Sequence, residues 1–180
     1  MSEDGATQRI ELNLQNVQQL FNSMDPSPFR ERDLDRDAEE FIVSWAQEHP
    51  IHKPVRLVVH LRQPSEGGDA AQLITDSIHH YFSYRAGLNR HEFRRLMHEG
   101  WISLLIGLAF LAACVLASQT VAPRFGTLHP IIAEGLTIIG WVAMWRPLDI
   151  YLYRWWPVRE LGRIYRKLSV IPIEVSVTGG

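Results

Sequence analysis

Three groups of residues in this chain have the types and spacing to do chemistry. The first is the acidic run Asp33-Leu34-Asp35-Arg36-Asp37, whose alternating carboxylates match the opening of a calcium loop or a D-x-D magnesium–phosphate site. A calcium loop then needs glycine at its sixth position and a bidentate glutamate at its twelfth, where this chain has Ala38 and Ser44. An acidic helix start with Asp33 as N-cap explains the run more simply, because negative charge is favoured at a helix N-terminus. The second group is His79, His80, His91 and His98. His91 and His98 would share a helical face, but no H-E-x-x-H motif and no pair four residues apart accompanies them. Asp33, Asp35, His91 and His98 are therefore the metal candidates, and no cofactor is implied.

The third group lies in the apolar middle of the chain. Glu134 is the one carboxylate there, and a charge within hydrocarbon is costly enough that such residues usually face protein or water. It lies about a turn and a half inside His129-Pro130, where Arg124 or His129 could pair with it. Cys114, the sole cysteine, sits at bilayer depth among apolar residues and reads as inert packing, so no disulfide forms within one chain. No phosphate-cradling glycine loop, nucleophile elbow or C-x-x-C pair is present.

The elements that position these groups follow from hydropathy. Trp101–Ser118 carries no charge and reaches the roughly 20 residues needed to cross a bilayer if it runs on through Ala122. Leu128–Trp145 is a second apolar segment, so the pair predicts a transmembrane hairpin with spans over 101–122 and 128–146 and a short external turn over 123–127. Arg85, Arg90, Arg94 and Arg95 precede it and Arg146, Arg154, Arg159, Arg163, Arg166 and Lys167 follow, whereas the turn holds only Arg124. The positive-inside rule places both termini in the cytoplasm. The opening residues lack the apolar core of a signal peptide, so the first span is expected to serve as its own membrane signal.

Outside the hairpin, Ile10, Leu12 and Leu14 alternate with polar residues as a strand does, and so do Val55–Leu61 and Ile171–Val177. Pro172 confines the last strand to an edge or a strand start. A helix is expected from Asp33 to about Glu48, and another from Asp69, its stripe Leu73, Ile74, Ile78, Tyr81 and Phe82 leading towards Trp101. That helix either merges with the first span or breaks at Gly87–Asn89 or Gly100. A basic amphipathic helix occupies 158–168. The expected fold is an α+β membrane protein ordered β-α-β-α-TM-TM-α-β, with the hairpin inserted into one small cytoplasmic α/β domain. Its divisions are a βαβ portion over 1–62, a linker and amphipathic helix over 63–100, the hairpin, an interfacial segment over 147–168 and a returning strand over 169–180.

Within the hairpin, the small residues Ala109, Ala113 and Ala117 on one span and Ala133, Thr137 and Gly140 on the other permit close packing inside the hairpin or between copies. Arg146, Tyr151, Tyr153, Arg154, Trp155 and Trp156 suit the headgroup region. The loop Asp25, Pro26, Pro28 and Phe29 is rigid and extended, a candidate partner surface. A net charge of −2, from 18 basic and 20 acidic residues, gives no argument for nucleic acid.

Leu20–Val43 and the segment W-R-P-L-D-I-Y-L-Y-R-W-W-P resemble segments of small bacterial inner-membrane proteins. The resemblance implies residence in the bacterial inner membrane and carries no activity over. The expected function is a non-enzymatic, homo-oligomeric anchor or scaffold that contacts membrane lipids and offers its cytoplasmic domain to a protein partner. The alternatives are an oligomeric pore or proton path using Glu134, and a membrane-tethered metal-dependent enzyme.

Overall fold

A computed structural model describes residues 8–28, 32–51, 53–62 and 70–177, and shows a mixed helix-and-strand chain with one three-stranded sheet and two long apolar helical stretches. The elements in order are β1 (Gln8–Leu14), α1 (Arg36–Gln47), β2 (Val55–Leu61), α2 (Ala70–Thr120), α3 (His129–Ala143), α4 (Trp145–Asp149), α5 (Trp155–Leu168) and β3 (Ile173–Val177). Short 3-10 turns occupy Val17–Leu20 and Ala122–Leu128, and a π-helical turn, Ile150–Arg154, joins α4 to α5. The expected N-cap Asp69, the 63–68 linker and Phe29 lie outside the described residues.

The chain forms two compact units, 1–88 with 161–180, and 89–160; the boundaries fall inside α2 and α5. In the first unit, β2 lies between β1 and β3 and all three strands are parallel. Ile10 pairs with Leu57 and Leu12 with Val59, while Leu57 and Val59 pair in turn with Ile173 and Val175. These residues share one face of the sheet, because side chains alternate along a strand. Against them pack Ile42 and Ala46 of α1, Ile74, Ile78 and Phe82 of α2, and Ile164 and Leu168 of α5. The opposite face carries Arg9, Glu11, Arg56, His60 and Glu174, with Arg56 paired to Glu174 and His60 3.9 Å from Glu11. Parallel sheets normally bury both faces, and here the second face is polar apart from the buried Val58. Pro172 falls just before edge strand β3, where its carbonyl still accepts from Leu57 N at 3.0 Å.

Local chemistry corrects one helix boundary. Asp35, not Asp33, caps α1: its backbone is extended and its carboxylate accepts from Asp37 N at 3.0 Å. Asp37 and Glu39 then occupy the first turn, where the dipole favours them. Helix α2 continues unbroken through Gly87 and Gly100 for 51 residues, so the amphipathic helix and the first apolar segment are one element. At about 1.5 Å per residue it is roughly 75 Å long. The second apolar stretch is interrupted where prolines dictate. Pro147 lacks an amide hydrogen and its ring crowds the carbonyl four residues back, and α3 ends there, at Ala143. Pro157 stands in the same relation to Tyr153, inside the π-helical turn.

Candidate functional site

The first unit is closed by a polar clasp. Glu39 on α1 accepts from Tyr81 Oη at 2.7 Å and Arg85 Nε at 2.7 Å, both on α2, and from Tyr165 Oη of α5 at 3.3 Å. Arg85 Nη2 also donates to Tyr165 Oη at 3.1 Å, and the guanidinium lies 5.3 Å from the Tyr165 ring centre. The carboxylate is mostly buried, so its three donors offset the cost of removing it from water. Burial, reinforced by Glu39, raises the pKa of the Tyr81 phenol well above its ordinary value, and burial also raises that of Tyr165. Burial opposes charge on Arg85, but Glu39 and the two phenols outweigh it and hold the pKa higher still. This clasp joins residues up to 126 positions apart, and no local motif marks it.

Beside the clasp lies a groove of about 460 Å³ lined by Asp25, Arg32, Asp33, His80, Tyr81 and Tyr84. Its wall is the loop that the two prolines stiffen. The loop is pinched at its neck, where Asn22 N donates to Asp33 O at 2.9 Å and Asp35 N to Leu20 O at 2.9 Å. Asp25 braces it internally, accepting from Asp33 N at 2.8 Å and Ser27 N at 2.9 Å. Those amides, Asp33 N foremost, hold the Asp25 carboxyl below its usual pKa. Asp25 is thus a loop brace, while Asp33 lines the groove. A second, shallower groove of about 320 Å³ runs along α1 between Asp37, Glu40, Phe41, Trp45 and Glu48, an acidic strip around an exposed aromatic ring.

The metal candidates are not brought together. Asp35 is spent on its cap, and His91 and His98 are exposed on α2. Among the described residues no three His, Cys, Asp or Glu side chains form a group able to hold a metal ion.

In the second unit, α2 and α3 pack through a seam of small residues. A Cβ on Gly140 would come within 2.9 Å of Leu111 Cδ1 and 3.1 Å of Cys114 Cβ. One on Gly107 would meet Ala143 O at 3.0 Å, and one on Gly100 would meet Ile150 Cγ2 at 3.0 Å. Gly100, Gly107 and Cys114 are seven residues apart, the spacing that keeps one stripe facing a supercoiled partner. Gly140 is on the seam, Ala133 is half-buried, and Thr137 is exposed with its hydroxyl on Ala133 O at 2.9 Å. Ala109 and Ala113 are exposed and Ala117 half-buried, so the expected alanine stripe is not the face that joins the two helices.

Large apolar side chains line the outside instead, among them Trp101, Ile106, Ile131, Trp141 and, at 75 % exposure, Trp145. Glu134 is exposed with no hydrogen bond or ion pair among the described residues. At the other end of the hairpin Arg146 of α4 pairs with Glu99 of α2, so this arginine is engaged within the unit. Trp155 Nε1 donates to Tyr151 O at 2.7 Å, and Arg159 lies 5.6 Å from the Trp155 ring centre. Tyr151, Tyr153, Arg154 and Trp156 are exposed. Gly140 was among the expected packing residues, whereas Gly100, Glu99 and the Glu39 clasp were missed by sequence reasoning; the seven-residue spacing of Gly100 and Gly107 was the one signal available for any of them. No family model, curated protein sequence or solved structure matches this chain.

Proposed function

We propose that this protein is an integral membrane anchor or scaffold of the bacterial inner membrane, non-enzymatic and homo-oligomeric. In this reading 101–122 and 128–146 are the spans, both termini are cytoplasmic, and the α/β unit is offered to a protein partner. The observation that carries it is the reversed surface of the second unit. Glycines fill its seam while Ile106, Ile131, Trp141 and Trp145, each 63 % exposed or more, face outwards. Water penalises such a surface by roughly 25 cal/mol for each Å² of apolar area, whereas hydrocarbon does not. The exposed Tyr151, Tyr153, Arg154 and Trp156 suit a headgroup layer beside the cytoplasmic end. The acidic strip on α1 and the braced Asp25 loop form the surface offered to a partner, which on charge grounds is basic.

The test is alkaline carbonate extraction of membranes together with cysteine labelling from either side. Retention in the membrane, outside labelling at Arg124→Cys and inside labelling at Glu11→Cys are expected. Release by carbonate, or the reverse labelling, overturns the reading. A pore is the second reading, favoured by the exposed, unpaired Glu134. It predicts liposome proton flux that Glu134→Gln abolishes.

A further inference from the structure

The position of Glu134 around its helix identifies a contact surface. Successive residues of an α-helix are turned by about 100°. Measured from Glu134, Trp141 and Ile138 then fall within about 40° on either side, while the seam residues Gly140 and Ala143 lie about 120° and 180° away. Glu134 and its two large neighbours therefore form one stripe pointing away from α2. Each is exposed, and the structure gives Glu134 no partner among the described residues. The hairpin's own first helix packs on the other side of α3, so among the described residues nothing covers this carboxylate.

The hairpin also carries a charge of the opposite sign near the same end. Arg124, in the Ala122–Leu128 turn, is exposed and likewise has no side-chain partner among the described residues. Glu134 lies six residues beyond Leu128, roughly 9 Å along the helix, a distance that an arginine side chain and a glutamate side chain reaching towards each other can bridge. We propose that the Glu134–Ile138–Trp141 stripe of α3 is seated against a second copy of this chain, with Glu134 of one copy paired to Arg124 of the next. The pairing removes an isolated carboxylate from the apolar layer and leaves the turn without a bare cation. It gives a physical basis for the homo-oligomer in the proposed function and rests on that membrane placement.

The test uses the full-length protein in native membranes with Cys114→Ala, which removes the one native thiol and keeps the Cβ that touches Gly140. Ile138→Cys is then expected to form disulfide-linked dimers on mild oxidation, whereas a control, Leu136→Cys on the seam side, stays monomeric. Glu134→Gln and Arg124→Gln should each lower dimer yield by roughly threefold, the scale of polar coupling between membrane helices. Combining them should cost no more than either alone, the mark of a shared interaction. Absence of dimer at Ile138→Cys above the Leu136→Cys level overturns the surface, and linkage to a different protein replaces the second copy with that partner. Additive losses, or none, overturn the Glu134–Arg124 pairing. Carbonate extraction of the same membranes separates the two claims: release defeats the membrane reading, while retention without dimers defeats this inference alone.

Discussion

The two units of this protein are held together by opposite means. In the first, large side chains fill the interior: Phe82, Ile10, Leu57 and Leu168 are fully buried, and a charged clasp at Glu39 ties three helices over them. In the second, Gly100, Gly107, Cys114 and Gly140 set the closest approach, Leu96 and Ile150 are buried, and most of the large apolar side chains face outwards. The first arrangement is what water selects, since burying apolar area is its main driving force. Hydrocarbon offers no such force between helices, so close backbone approach through small residues takes over. The contrast is the physical content of the membrane assignment proposed for residues 101–146.

Substitutions in the two units should have unequal consequences, and the core of the first unit should respond most strongly. Phe82→Ala should cost about 3–5 kcal/mol, because a fully buried ring is lost and the site collapses only in part. Hydrogen exchange should show β2 amides deprotected while α3 amides stay slow; equal loss in both units would deny that they differ. Next comes the seam. Gly140→Leu should cost about 1–3 kcal/mol through overpacking against Leu111 and Cys114, read as a longer spin-label distance across the hairpin. Gly135→Ala meets nothing within 4 Å and should be neutral or stabilising by about 1 kcal/mol. If both substitutions behave alike, small residues do not hold the hairpin closed.

Smaller effects test the clasp and the loop. Glu39→Gln should destabilise the first unit by about 1.5–3 kcal/mol, as charge-assisted hydrogen bonds to Arg85 and two phenols weaken. The same clasp sets an alkaline limit. Tyr81 and Tyr165 have raised pKa values in the folded state, so the stability they contribute is complete below about pH 10 and is lost as pH rises beyond it. Circular dichroism should therefore fall together with the rise of tyrosinate absorbance, and Tyr81→Phe should move that limit upward. The least effect is expected at Asp25. Its pKa is lowered, so its contribution is present above about pH 4 and lost as pH falls through the folded value. Asp25→Asn should speed exchange at the Ser27 and Asp33 amides at neutral pH, and unchanged exchange there would remove Asp25 as the brace.

Local periodicity made several elements legible before any fold was known. The alternation at Ile10–Leu14 and Val55–Leu61, the stripe from Ile74 to Phe82 and the uncharged run from Trp101 depend on neighbours a few residues away, and each is a strand or helix in the structure. The start of α1 shifted by two residues because Asp33 and Asp35 are equally good caps in isolation. The pinch between Asn22 and Asp33 holds Asp33 in the loop, leaving Asp35 to cap the helix. The clasp and the seam arise from contacts between helices. Glu39, Arg85 and Tyr165 look like ordinary helix-surface residues until three helices converge on one sheet face. Several small-residue stripes run along the α2 segment, and nothing within a single helix says which of them faces its partner. The rotation of each helix about its axis is set by the best mutual fit, which placed Gly107 and Cys114 inside the seam, left Ala109 and Ala113 outside it, and turned Glu134 away from the hairpin's own first helix.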